Sequence, residues 1–237
     1  MANAAAAEAA SSQPQHEKLA LMGTIPIYWG EAADLADVIN GTAEPHWARA
    51  VLEETYELEP VSLLDAEVLS KQHNLLLAQP RALSPSENVA LDDWVRDGGH
   101  VLIFADPMMT GHSNYPIGDR RRPQDVILLS PILQHWGLSL SFDESQSSGV
   151  QSDEDAGVSL PVQLAGSFAL QTAASGAECK LRFSGLLADC QIGAGRAMIL
   201  ADAALLNPDP LTDSVADDLR FLMHWAYATR DLGKSRD

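Results

Sequence analysis

Two aspartates follow similar apolar stretches of the chain. Asp106 ends the run HVLIFADP, and Asp202 ends the run GRAMILADA. If both runs are parallel strands, their carboxyl ends lie at one edge of a sheet, where open α/β sheets bind ligands. There the two carboxylates could act as acid and base, or could ligate a hard cation such as Mg²⁺. We favour the simpler interpretation, in which each aspartate caps the loop that follows its strand.

The long loop after Asp106 carries a second candidate group, His112, between a glycine and a serine. In a hydrolase, His112 would act with Asp106 and Asp202 around a metal ion or a water molecule. The sequence has no HExxH motif, and His112 has no partner histidine at metal-ligand spacing. We therefore predict neither a metal site nor a catalytic residue, and we keep the hydrolase as the alternative function.

The same loop holds the one concentrated basic patch of the chain, in the sequence DRRRP. Arg120, Arg121 and Arg122 could clamp an anionic ligand or dock an acidic partner; alternatively, they pair with nearby acids. Tyr115 adds an aromatic side chain, and loops of this length are often functional. Trp29 follows an earlier predicted strand and belongs to the same edge. We predict that these residues, with Asp106, His112 and Asp202, form a surface for a partner or a small ligand.

Several classes of enzyme site are missing from the sequence. It contains no G-x-S-x-G nucleophile elbow, no P-loop and no GxGxxG motif. The glycine-rich GAGRA precedes a predicted strand, whereas a phosphate-binding loop must open a helix. No cofactor is predicted.

Composition and charge exclude further functions. The 237 residues carry a formal charge of −18. Such a charge repels nucleic-acid backbones and anionic lipid heads. No run of about 20 apolar residues is present, so no transmembrane segment is predicted. A hydrophobic fraction of 46% suits a globular protein with a sizeable core.

Hydrophobic periodicity alternates between strands and helices along the first part of the chain. It predicts a doubly wound, mainly parallel α/β sheet in a single domain over residues 18–230. Residues 144–195, an acidic loop followed by short β segments, are predicted to be an inserted β-hairpin region, and residues 1–17 and 231–237 are predicted to be disordered. The main predicted strands cover 19–28, 57–64, 73–80 and 100–107, and residues 195–206 are predicted to be a strand that leads into a loop. The predicted helices cover 45–56, 84–99, 125–137 and 213–230, and the third of them is expected to break or restart at Ser130-Pro131.

Two cysteines, Cys179 and Cys190, flank a predicted hairpin. A two-residue turn at Ser184-Gly185 would place them opposite each other across the two strands. Their sulfurs would then be within disulfide reach, which would indicate an oxidising compartment. The alternative is two small buried thiols, and the sequence leaves both interpretations open.

Four stretches of the chain carry a resemblance to a known family. ALSPSENVALDDWVRDGGHVLIFADP with LLSPILQHWGLSLSFD, and later GAGRAMILADAALLNPD with DDLRFLMHWAYA, follow one pattern. That pattern resembles the auxiliary domain of uncharacterised ABC-type transport systems, the group that includes gliding-motility-associated auxiliary proteins. The resemblance covers roughly residues 19–228.

The resemblance implies a flavodoxin-like fold, similar to class I glutamine amidotransferase domains but without their nucleophilic cysteine. It also implies ABC permease or ATPase components, or another envelope protein, as partners, and a periplasmic or inner-membrane-associated location. The first residues lack the pattern of a signal peptide, so the sequence also leaves a cytoplasmic location open. The predicted function is therefore a non-catalytic accessory or binding component of such a system.

Overall fold

The computed structural model describes residues 16–32, 43–155, 157–207, 209, 212 and 214–228. Five α-helices and eleven β-strands lie within these residues. The helices are α1 (Trp47–Glu53), α2 (Ala66–Leu69), α3 (Pro85–Arg96), α4 (Ser130–His135) and α5 (Val215–Tyr227). The strands are β1 (Glu17–Gly23), β2 (Tyr56–Pro60), β3 (Asn74–Ala78), β4 (His100–Phe104), β5 (Leu138–Phe142), β6 (Gln151–Asp155), β7 (Val158–Val162), β8 (Gly166–Leu170), β9 (Glu178–Arg182), β10 (Leu187–Ile192) and β11 (Gly195–Leu200).

A seven-stranded sheet forms the centre of the molecule, in the order β2-β1-β3-β4-β11-β10-β9. The five strands from β2 to β11 are parallel, and β10 and β9 continue the sheet in antiparallel pairing. All five residues of β3 and all six of β11 are buried. Parallel strands covered on both faces have this uninterrupted apolar character. The predicted α/β class with a mainly parallel sheet is confirmed.

Helix α3 begins with the capping box that the sequence predicts. The Ser84 hydroxyl accepts a hydrogen bond from the Glu87 N–H, and the Glu87 carboxylate accepts one from the Ser84 N–H. Arg81 donates two hydrogen bonds to Glu87, and chiefly for this reason the pKa of Glu87 falls to about 2. Glu87 therefore stabilises the first turn of α3 in two ways, through the cap at Ser84 and through its ion pair with Arg81.

The predicted helix over residues 125–137 is wrong in its first half, whereas α4 begins at Ser130, where a break or restart was predicted. The preceding segment pairs with the chain after β4. The Ile127 N–H donates to the Asp106 carbonyl, and the Met109 N–H donates to the Asp125 carbonyl. These tertiary hydrogen bonds hold residues 125–127 against the 106–109 segment, and Pro131 lies in the first turn of the short helix that follows.

The region predicted as an insertion is only partly separate from the central sheet. Within the acidic loop predicted at 144–157, residues 151–155 form β6 and pair with β7, while β5 pairs with β8. By contrast, β9 and β10 extend the central sheet. The predicted leader ends too late, because Glu17 already belongs to β1. The rest of that leader up to residue 15, and the tail at 231–237, lie outside the described residues.

The hairpin of β9 and β10 has the predicted register, with Cys179 opposite Cys190. The two sulfurs are bonded in this structure. Ser184 and Gly185 both have positive φ angles, of 50° and 96°. Such angles are typical of the tight turns that match the twist of paired strands.

Candidate functional site

Gln79 closes the carboxyl edge of the sheet directly after β3. Its side chain is fully buried, and its φ angle of 48° is unusual for a residue other than glycine. The side-chain nitrogen donates to the carbonyls of Asp106 and Gln124, both at 2.9 Å, and the side-chain oxygen accepts from the Asp106 N–H at 2.8 Å. One amide thus joins the ends of β3 and β4 to the long loop. The sequence indicated Gln79 only as the end of a strand.

Asp106 and Asp202 use their carboxylate oxygens to hold loops. Asp106 accepts hydrogen bonds from the N–H groups of Met108 at 2.7 Å and Ala203 at 3.1 Å. Asp202 accepts one from Gln163 at 2.8 Å and a second from the N–H two residues further along its own chain. Both side chains are buried. Each aspartate therefore caps the loop that follows its own strand, as the simpler interpretation of the sequence expects. Each also accepts a hydrogen bond from a loop that is distant in the sequence.

Burial of two acids at neighbouring strand ends changes their protonation. Loss of hydration raises the pKa of Asp106 and of Asp202, because a buried carboxylate is less stable than a buried carboxylic acid. The negative charge of Asp106 raises the pKa of Asp202 further. The folded protein therefore holds a proton here that the unfolded chain, with ordinary carboxyl pKa values, releases.

Because the folded protein binds this proton, the destabilisation caused by Asp202→Asn should depend on pH. A raised pKa in the folded state stabilises the wild type at low pH, and that stabilisation is lost as pH rises through the folded-state pKa. Asparagine cannot titrate and also lacks one acceptor. We expect its destabilisation to be largest near about pH 5 and to shrink by at least about 1 kcal/mol toward about pH 8, measured by urea unfolding. His46 and His100, whose lowered pKa values act in the opposite direction, are present in both proteins and cancel. A difference that stays constant or grows with pH would contradict the raised pKa of Asp202.

A cavity of about 400 Å³ opens beside this edge. It lies between the loop after β1, the loop after β4, the start of α1 and the segment after β11. Apolar side chains and prolines form much of its wall, and polar groups from several loops converge on it, as in many small-molecule sites. Its polar lining comprises Glu31, Glu44, His46, His112, Asn114 and Asp209.

Glu31 ties the two loops that border the cavity. Its carboxylate accepts hydrogen bonds from the Ser113 hydroxyl and the Asn114 N–H, both at 2.7 Å. The Tyr115 hydroxyl accepts from the Ala32 N–H at 3.3 Å in the same region. No local sequence pattern marks Glu31, because its partners are more than 80 residues away.

His46 forms the buried floor of the cavity beside α1. Its Nδ1 accepts from the Ala48 N–H, so Nε2 carries the proton and donates to the Leu206 carbonyl at 3.0 Å. Burial lowers the pKa of His46, which favours this neutral form. The neighbouring Trp47 donates from its indole nitrogen to the Asn207 carbonyl at 2.8 Å. His46 was also missed, although its position just before a helix is a capping position that could have drawn attention to it.

The structure brings few of the predicted site residues to this cavity. His112 lines it, whereas Asp106 and Asp202 do not. Trp29 is 70% exposed and lies outside the lining, in edge contact with the Tyr28 ring. β1 ends at Gly23 rather than at the predicted Tyr28, because the chain then turns: the Ile27 N–H donates to the Ile25 carbonyl and the Gly30 N–H donates to the Pro26 carbonyl.

The three arginines differ in their surroundings. Arg121 makes a two-pronged ion pair with Asp119 and lies 4.2 Å from the centre of the Tyr115 ring. This pairing lowers the pKa of Asp119 to about 2. Arg122 donates to the Tyr115 carbonyl and pairs with an aspartate three residues further on. Arg120 is exposed and makes no hydrogen bond or ion pair with any described residue. Two of the three arginines thus stabilise their own loop, as the alternative interpretation of the patch expects.

No metal centre is evident in the part of the chain that the structure describes. None of its histidines, cysteines, aspartates and glutamates form a group of three or more that could hold a metal ion. Among the described residues, no helix combines the length and apolarity needed to cross a membrane.

Comparison with known proteins supports the resemblance read from the sequence. Residues 35–150 match the family described as "ABC-type uncharacterized transport system", which confirms the predicted family resemblance. No curated protein matches the chain.

Solved structures share the fold at low sequence identity. The N-terminal domain of mmIFT52 is 13% identical with a TM-score of 0.52, and the match covers 92% of this chain and 100% of that domain. Gan42B, a GH42 β-galactosidase from G. stearothermophilus, is 14% identical with a TM-score of 0.50 over 89% of this chain. The exo-β-1,4-mannosidase Op5Man5 from Opitutaceae bacterium strain TAV5 is 14% identical with a TM-score of 0.50 over 91% of this chain. This chain spans only 30% of the galactosidase and 37% of the mannosidase.

Proposed function

We propose that this chain is a non-catalytic accessory component of an ABC-type transport system and binds a partner protein or a small ligand in the cavity beside the sheet edge. The family match over residues 35–150 supports the transport context. The cavity of about 400 Å³ is the observation that carries the binding role. Its partners would be the permease or ATPase components of the same system, or another envelope protein, at a periplasmic or inner-membrane-associated location.

The burial and the hydrogen bonding of Asp106 and Asp202 support binding over hydrolysis. A hydrolase built on Asp106, His112 and Asp202 needs all three side chains at one substrate. The two aspartates are buried and engaged by backbone N–H groups, and of the three only His112 lines the cavity. The alternative function therefore has no observation that favours it.

The strand order supports the finer fold proposed from the resemblance. We propose a flavodoxin-like arrangement related to class I glutamine amidotransferase domains. The parallel part of the sheet runs β2-β1-β3-β4-β11, which corresponds to the 2-1-3-4-5 order of that arrangement. In such sheets the ligand crevice lies where the strand order reverses, beside β1 and β3. Ile25 and Pro26, just after β1, line the cavity here.

Filling the cavity gives a direct test. His112 is exposed and forms no hydrogen bond with another described residue, so His112→Trp adds bulk to the lining without removing a structural contact. We expect co-purification with the co-expressed permease and ATPase components to fall at least about tenfold, while the melting temperature stays near that of the wild type. Should the occupant be a small molecule, a ligand at about 100 times its dissociation constant adds roughly 2.7 kcal/mol to the wild type, and the variant loses that shift.

A matched control distinguishes blocking of the cavity from a general effect of adding a tryptophan to the surface. His73→Trp makes the same change at an exposed histidine that lines a different cavity, at the opposite edge of the sheet. We expect His73→Trp to behave as the wild type. Equal capture and equal ligand shifts for the wild type and His112→Trp would remove the cavity as the binding site.

A further inference from the structure

Strand β5 lies at the edge of a small sheet. It pairs with β8 in antiparallel register, and no other described strand joins it. The Gln171 N–H donates to the Gly137 carbonyl, which fixes which residues face β8. Because hydrogen-bonded positions alternate along an antiparallel pair, Ser139 and Ser141 share the β8 side with Gly137. The backbone N–H and C=O groups of Leu138, Leu140 and Phe142 therefore point away from β8. Leu138 is fully buried, so the accessible part of this edge is formed by Leu140 and Phe142.

A second hydrogen bond agrees with this assignment. Gly166, opposite Phe142, donates its N–H away from β5 to the Ala201 carbonyl. Gly166 and Phe142 thus form a pair that exchanges no backbone hydrogen bonds. The outward direction of the Phe142 backbone groups follows from the register as well as from the alternation.

A groove of about 320 Å³ runs along this edge. All five residues of β5 line it, and the facing wall includes Pro107, Val126, Leu129 and Leu133. Val126 is 49% exposed. It gives the groove an apolar surface that is open to solvent.

The sequence of β5 lacks the features that block strand addition. At the two edges of the central sheet, β2 (YELEP) carries glutamates and a proline, and β9 (ECKLR) carries three charged residues. Charges and proline at an edge discourage pairing with another chain. β5 (LSLSF) carries neither. Of these three edges, only that of β5 is open to an additional strand.

The charge around the groove indicates the chemistry of its occupant. No charged side chain lines it. Asp143 and Glu144 follow β5 directly and are exposed. The end of the groove beside these two residues is therefore acidic, in a chain of net charge −18. A complementary segment is apolar along its length and carries lysine or arginine at the end beside Asp143 and Glu144.

We propose that β5 accepts an extended, basic-ended segment of a partner polypeptide as an additional antiparallel strand. Main-chain hydrogen bonds to the open edge would provide affinity, and the apolar groove would select the side chains. In antiparallel pairing the amino end of the segment lies beside Asp143 and Glu144, so its basic residues belong at that end. This surface is separate from the cavity of the proposed function and does not depend on it.

The test uses a fluorescein-labelled peptide of about six residues, in which threonine alternates with valine, preceded by two lysines. We expect saturable binding to the full chain by fluorescence polarisation. Two further peptides carry N-methyl groups on one or the other alternate set of amides. One set should lose at least about tenfold in affinity and the other should not, because only alternate amides face β5. The weakly binding methylated peptide could not recover affinity by shifting one residue along β5, because that shift would turn its valines away from the groove.

Two variants of the protein locate the site. Val126→Lys places a like charge in the wall of the groove, and we expect peptide binding to weaken at least about tenfold. Val89→Lys makes the same change at another exposed valine, on α3, and should bind as the wild type. No binding of the unmethylated peptide up to about 1 mM, equal loss for both methylated sets, or equal affinities for the two variants would overturn the proposal.

Discussion

Replacing Gln79 by alanine is expected to destabilise the protein by about 3 kcal/mol or more. The side-chain amide forms three hydrogen bonds: the two to the N–H and carbonyl of Asp106 are buried, and the one to the carbonyl of Gln124 is partly buried. Each buried polar group left unpaired costs about 1–3 kcal/mol. The Asp106 carbonyl retains the Ile127 N–H, so the loss falls mainly on the other two groups. Urea unfolding measures the effect.

Two further substitutions at position 79 separate the causes. Gln79→Gly removes the same hydrogen bonds but suits the positive φ angle, so it should be less damaging than alanine by about 1 kcal/mol. Gln79→Glu keeps the acceptor for the Asp106 N–H and removes both donors. We expect it to be strongly destabilising at neutral pH, because a charged oxygen would then face two carbonyls. A loss of less than about 1 kcal/mol for alanine would show that water or neighbouring groups replace the amide.

Arg196→Met is expected to cost about 3–5 kcal/mol. The guanidinium forms two parallel hydrogen bonds with Asp189, at 2.7 and 2.9 Å, and a third with the Trp225 carbonyl. The two side chains are only 6% and 10% exposed. Removing the arginine takes two charge-assisted hydrogen bonds from a buried carboxylate, whereas methionine keeps most of the apolar stem. The free energy of unfolding from urea titration is the measurement.

Two comparisons make the Arg196 result specific. Arg220 pairs with Glu54 and Asp217 at the surface, so Arg220→Met should cost less than about 1 kcal/mol. The double variant Asp189→Leu/Arg196→Met removes both charges and should recover much of the loss. A similar cost for Arg196→Met and Arg220→Met would contradict the view that burial makes the Arg196 pair important.

Asp106 and Asp202 show which features of a site can be predicted from the sequence and which cannot. Their positions after two apolar runs correctly indicated parallel strands with their carboxyl ends at one edge, and the structure adds that the two strands are neighbours. The direction of the side chains was not predictable, because it depends on the N–H groups of Ala203 and Gln163 in other parts of the chain. The same holds for the loop that carries Arg120, Arg121 and Arg122. Which of these arginines forms an ion pair depends on how the loop folds, and the sequence did not predict it.

The sequence by itself determined the alternation of buried strands and capped helices, the parallel character of the sheet and the register that pairs Cys179 with Cys190. Those features follow from periodicity and turn chemistry within a few residues. Only the tertiary structure decided that Gln79, Glu31 and His46 shape the candidate site and that β5 presents an open edge. Each depends on hydrogen bonds or neighbours from distant segments, and a side chain's partners across the fold leave no periodic pattern in the sequence.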